Sequence, residues 1–115
     1  MIVTNAFSIN MLSNSASFKF SQVSLEDARE LVARNRWVSA VGHADTAALF
    51  STLLGQHVRC LRGNVTDPKQ MLVGQYSGPR LPEGASQLPE GASITWWLVS
   101  QIDWENVRDY YEGRI

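Results

Sequence analysis

Ser24 to Gly55 reads SLEDARELVARNRWVSAVGHADTAALFSTLLG, and this stretch decides the fold class. Ser24 with Asp27 three positions on forms a capping box with aspartate in place of glutamate, and Leu25, Ala28, Leu31 and Val32 recur on one face. A helix over about 24–34 follows. Trp37 to Val41 is a short apolar run ending at Gly42, which predicts a strand. His43 to Leu54 then predicts a second helix whose Ala47, Phe50, Leu53 and Leu54 face inward, stopped by Gly55 past its C-terminus. Helix, strand and helix in succession call for a sheet with helices packed on it.

Outward from this segment the chain is richer in strands. Met1 to Asn5 predicts a short buried strand, followed by a single helical turn through Asn10 to Leu12 capped by Ser8. Ala16, Phe18 and Phe20 alternate with Ser17, Lys19 and Ser21, the period of a half-buried strand expected to pair beside the first. Strands are also expected over 58–65 and 70–76, with Asp67-Pro68 turning the chain between them. Residues 94–102 predict a last strand with Trp96 and Trp97 on opposite faces, which suits a central strand covered on both sides or an edge used in dimerisation. Asp103 then caps a short helix ending at Gly113. The expected fold is a single compact α/β domain, a mixed sheet with helices on it, with 103–115 as a helical extension of the domain in 1–102.

Composition agrees. The chain has 115 residues, 44% hydrophobic and 18% charged, which fits one core and argues against disorder. The net charge of −1 does not suit a duplex-binding protein, whereas eight Arg against two Lys favour fork-like contacts with a compact anion. A single cysteine, Cys60, excludes an internal disulfide and fits a reducing cytoplasm. No segment reaches the ~18 apolar residues of a membrane span. No nucleophile elbow, phosphate-binding glycine loop, paired zinc spacing or calcium loop is present, so no metal or cofactor is expected.

The candidate chemistry lies in three places. His43 follows Gly42 between a strand and a helix, where exposed N–H groups and the helix dipole favour an anion. A phosphate bound there would raise the imidazolium fraction and suit a general acid, whereas the plainer reading is a helix-start histidine satisfied by the backbone. Asn5, Ser8 and Asn10 either cap and end local structure or present hydrogen bonds to a base, ribose or phosphate. Arg62 in Leu61-Arg62-Gly63-Asn64 and Arg80 in Gly78-Pro79-Arg80-Leu81 are phosphate clamps or solvated surface residues. Glu83 either orients Arg80 or acts on a ribose hydroxyl proton. Its loop is part of the one internal repeat, Leu-Pro-Glu-Gly-Ala-Ser at 81–86 and 88–93, where Glu90 duplicates it. His57, beyond Gly55, reads as solvated.

Thr4-Asn5-Ala6-Phe7-Ser8-Ile9-Asn10-Met11-Leu12, Val41-Gly42-His43 with Thr46 and Leu53-Leu54-Gly55, and Arg80-Leu81-Pro82-Glu83-Gly84 together resemble the viral ring nuclease family. Its members disarm type III CRISPR immunity by cutting the cyclic tetra-adenylate messenger. The resemblance runs from residue 3 to about residue 101. It implies a metal-independent phosphodiesterase, homodimeric, with one ring bound across the two-fold axis. It further implies that His43 protonates the leaving 5′-oxygen as a ribose 2′-hydroxyl attacks, that Arg80 stabilises the phosphorane-like charge, and that Glu83 positions the ribose or Arg80. Asn5, Ser8, Asn10 and Arg62 would hold the messenger. A non-catalytic protein that sequesters cyclic oligonucleotides and a dimeric nucleic-acid-binding regulator are the alternatives.

Overall fold

The computed structural model describes residues 1–102, so the helix expected over 103–115 lies outside the described residues. Five strands form one mixed sheet: β1 Ile2–Thr4, β2 Ser17–Val23, β3 Val38–Ser39, β4 Gln70–Ser77 and β5 Ser93–Ile102. Their order is β2-β5-β4-β1-β3. β1 is parallel to β3 and to β4, while β5 runs antiparallel to both β4 and β2. The α/β class is as expected.

Helix α1, Leu25–Arg34, starts at the complete Ser24/Asp27 capping box, and α2, Ala44–Leu54, ends at Gly55 with φ 74°, a left-handed conformation that glycine adopts without strain. Arg29 of α1 donates from Nε to the Leu53 carbonyl at 2.7 Å, so one of the last α2 carbonyls is satisfied by the neighbouring helix. Both helices pack on one sheet face. There Ala28 and Val32 of α1 and Ala47, Phe50 and Leu54 of α2 meet Val3, Leu72 and Trp96. The rings of Phe50 and Trp96 are tilted at 4.9 Å between centroids.

The opposite face carries Met71, Val73 and Val99, covered by Phe7 and Met11 from the segment after β1 together with Phe18 and Trp97. Trp96 and Trp97 therefore lie on opposite faces of an interior strand, as their adjacency requires.

Two expectations are corrected. β2 does not lie beside β1: it pairs with β5 at the far edge, from Ser17 opposite Ile102 to Val23 opposite Trp96. The alternation of Phe18 and Phe20 determines which face they share but not the partner, and Phe7, crossing that face, meets both rings edge-on at 5.7 and 5.6 Å. The segment 58–65 is not a strand, and among the described residues its single ladder contact is a bridge from Cys60 to Val41. Side chains replace the ladder. Val58 N–H donates to Ser51 Oγ at 2.8 Å, and Ser39 Oγ donates to the Arg59 carbonyl at 2.6 Å. No described helix is long and apolar enough to cross a membrane.

Candidate functional site

β1 and β3 run side by side and end together, so the residues that follow them open onto one side of the molecule. After β1 come Asn5 and the 3-10 turn Ile9–Met11; after β3 come Ala40, Gly42 and His43. Buried Thr4 ties the two exits, its Oγ1 lying 3.3 Å from the Ala6 carbonyl and 3.4 Å from that of Ala40.

His43 is the N-cap of α2, exposed, with φ −121° and no side-chain capping bond. Among the described residues, no hydrogen bond holds its imidazole. The imidazole stands at the positive end of an 11-residue helix, where exposed N–H groups favour a bound anion. Arg62 is its neighbour. Its Nε donates to the Gly42 carbonyl at 3.0 Å, which fixes the guanidinium plane and leaves the two terminal nitrogens for another acceptor. A Cβ on Gly42 would meet Arg62 Cγ at 3.5 Å, an ordinary contact. His43, Arg62, Gly63 and Asn64 line an open concavity of about 610 Å³.

A second concavity, about 470 Å³, adjoins the first through Ala40, Gly63 and Asn64. It is lined by Asn5, Ser8 and Asn10 on one wall and by Gly63, Asn64 and Thr66 on the other. Ser8 does cap its turn, accepting from Asn10 N–H at 3.2 Å, and its hydroxyl proton is still available to a ligand. Five of the seven sequence-designated residues, His43, Arg62, Asn5, Ser8 and Asn10, thus line two adjoining concavities that share Ala40, Gly63 and Asn64.

Arg80 and Glu83 are exposed and line neither concavity. Their loop is nevertheless held at the His43 end of α2, because Gly84 N–H donates to Asp45 Oδ1 at 3.0 Å. The sequence repeat folds as a repeated turn: Ala85 N–H bonds the Pro82 carbonyl and Ala92 N–H bonds that of Pro89. Gly84 and Gly91 occupy the same left-handed position, at φ 75° and 79°. Only the first copy has the Asp45 bond among the described hydrogen bonds, so the backbone beside Glu83, and not that beside Glu90, is tied to the start of α2.

Three contributors escaped the sequence reading. Asn64 lines both concavities, and its position two residues after Arg62 behind a glycine was the available signal. Asp45 looked like any first-turn acid. Asp67, read as a turn residue, also binds Ser13 through its carboxylate, and the two donors of Ser13 hold its carboxyl below the usual aspartate value of 3.8. A third concavity, floored by Val73 and Val99 and flanked by Phe7, Phe20 and Trp97, lies on the sheet face opposite the helices and is mainly apolar, with Asn5 and Gln75 as its polar lining. Among the described residues, no group of three or more His, Cys, Asp or Glu is placed to hold a metal ion.

Fold and site together define a small α/β protein with adjoining polar concavities at the ends of two parallel strands. The chain belongs to the STIV B116-like family, whose model matches residues 1–95. Among solved structures it is similar to B116 of Sulfolobus turreted icosahedral virus, with 29% identity and a TM-score of 0.72 over 86% of this chain and 97% of that one. The relative is a viral protein. No curated protein matches the chain.

Proposed function

We propose that the protein is a metal-independent ring nuclease that cleaves cyclic tetra-adenylate and so switches off type III CRISPR signalling. The observation that carries this reading is the adjacency of two concavities that share Ala40, Gly63 and Asn64: the His43 imidazole, with no capping bond, and an Arg62 fork line one, and the amides and hydroxyl of Asn5, Asn10 and Ser8 line the other. An anionic ligand carrying bases and riboses needs both at once. The N-terminal motif that resembles the viral ring nucleases supplies most of the second wall.

In the proposed reaction a ribose 2′-oxygen attacks the adjacent phosphorus, forming the O2′–P bond as the P–O5′ bond breaks. The 2′-hydroxyl proton passes to solvent or to Glu83, and His43 delivers a proton to the departing 5′-oxygen. Arg80 stabilises the charge on the phosphorane oxygens. Two such cuts convert the ring into two linear di-adenylates with 2′,3′-cyclic phosphate and 5′-hydroxyl ends. A homodimer binding one ring across its two-fold axis would bring one His43 to each scissile bond.

The test is incubation with cyclic tetra-adenylate in EDTA, with products separated by chromatography, for the wild type and His43→Ala. Expected are linear di-adenylates from the wild type and a rate ~10²-fold or more lower in the variant, with ligand still bound. Intact ligand co-eluting with the wild type identifies a sequestering protein; cleavage that needs added metal removes the mechanism.

A further inference from the structure

The two walls of the polar cleft come from segments 54 residues apart, and one residue joins them. Asp67 N–H donates to the Met11 carbonyl at 2.7 Å. Ser13 N–H donates to Asp67 Oδ1 at 2.9 Å, and Ser13 Oγ donates to Oδ2. Asp67 adopts φ 47°, the one positive φ outside glycine among the described residues, and buried Pro68 follows it. A left-handed aspartate is uncommon and persists where surrounding bonds determine it.

The wall that Asp67 grips is anchored to the sheet face by Phe7 and Met11, but its polar tip lies outside that packing. The turn Ile9–Met11 is three residues long with no buried side chain, and Ile9 is 79% exposed. One 3-10 turn with a serine cap does not hold its shape unaided. Yet this turn carries Ser8 and Asn10, whose spacing from Asn64 and Thr66 sets the width of the cleft.

We propose that Asp67 is a positioning residue, clasping the polar turn at 8–13 to the 63–66 segment and thereby setting the spacing of the cleft walls that grip the cyclic nucleotide. The ligand half of this inference rests on the ring nuclease reading above; the clasp itself does not. Asp67 touches no reacting atom. Its removal should therefore weaken binding while leaving the rate at saturating ligand nearly unchanged.

The experiment compares the wild type with Asp67→Asn and Asp67→Gly, both of which tolerate a positive φ. Amide hydrogen exchange on the ligand-free chain reads Met11 and Leu12, whose N–H groups bond Ser8 and Ile9 and not Asp67. Exchange there should quicken ~10-fold or more in Asp67→Gly, less in Asp67→Asn, which keeps one acceptor, and not at all in α1 or β4. Titration with cyclic tetra-adenylate should show a dissociation constant raised ~10-fold in Asp67→Gly, with single-turnover cleavage at saturation within about twofold of wild type. Unchanged exchange at Met11 and Leu12 overturns the clasp, whether or not the wild type binds the ring. Tight wild-type binding matched by Asp67→Gly overturns the positioning role and leaves the ring nuclease reading intact. A wild type that does not bind the ring overturns that reading and the ligand half of this one together.

Discussion

Gly84 N–H donates to Asp45 Oδ1 at 3.0 Å, so the loop carrying Arg80 and Glu83 is moored to the first turn of α2, two positions beyond His43. Gly84 and Asp45 are 39 positions apart in the sequence, and a single carboxylate spans the gap. An acidic residue in a helix's first turn is favoured by the dipole in any case, so Asp45 serves the helix and the loop together.

Asp45→Ala should therefore keep the fold and lose activity. The bond is to a charged acceptor on a partly exposed residue, so we expect a loss on the order of tenfold in cleavage rate with little change in ring affinity. Single-turnover rates and equilibrium binding on the same preparation check this. A fall in affinity with an unchanged rate would mean that the mooring serves ligand capture instead.

The mooring also separates the two copies of the repeat. Glu83→Gln should slow cleavage by ~10-fold or more, whereas Glu90→Gln, on an identical turn without the Asp45 bond, should remain within about twofold of wild type. Equal effects would remove the structural distinction between the copies.

How much of this was legible follows from the range of each interaction. The Ser24/Asp27 box, the left-handed Gly55 and the opposed faces of Trp96 and Trp97 rest on neighbours within a few positions, and all are present in the fold. The partner of β2 is not encoded that way. Phe18 and Phe20 specify a face, and only the packing of Phe7 and the length of β5 place that strand at the far edge. Segment 58–65 looked like a strand because Val58, Leu61 and Val65 are apolar, but its backbone groups bind Ser51 and Ser39 side chains. At the site, His43 and the Asn5 to Asn10 turn stood out because each sits at the exit of a predicted strand. Asp67 did not, because its significance lies in Ser13, 54 residues away.

Gly74 tests the core beneath the site. A Cβ there would lie 2.5 Å from Phe50 Cζ and 2.6 Å from Trp96 Cζ3, both in rings locked by the helix-facing core. Gly74→Ala should destabilise the protein by ~1–3 kcal/mol through overpacking, read as a lower midpoint in denaturant with an unchanged slope. Gly84→Ala has open space at its Cβ but φ 75°, so it should strain the turn locally and leave the core intact.

The Asp67 clasp carries a pH signature. Its folded carboxyl lies below the usual 3.8 because Ser13 donates to it through side chain and backbone. A depressed folded value means that the contribution is complete above the unfolded value and is lost as pH falls through the folded one. The clasp should thus stay closed at neutral and mildly acid pH and open only below about pH 4, seen as faster exchange at Met11 and Leu12. In Ser13→Ala the Asp67 carboxyl should titrate closer to the usual value, as read from its carbon chemical shift.

Arg62 should prove irreplaceable by lysine. Its Nε is committed to the Gly42 carbonyl at 3.0 Å, and that bond aims the remaining nitrogens into the cleft beside His43. A lysine ammonium has three donors on one atom and cannot both hold Gly42 and present a planar fork to a phosphate. Arg62→Lys should therefore weaken ring binding by about tenfold while keeping most of the dependence of affinity on salt, whereas Arg62→Ala should weaken binding and flatten that dependence as well. Titrations at two salt concentrations decide the matter. Full affinity in Arg62→Lys would show that Arg62 contributes charge alone, and that the bond to Gly42 has no part in aiming it.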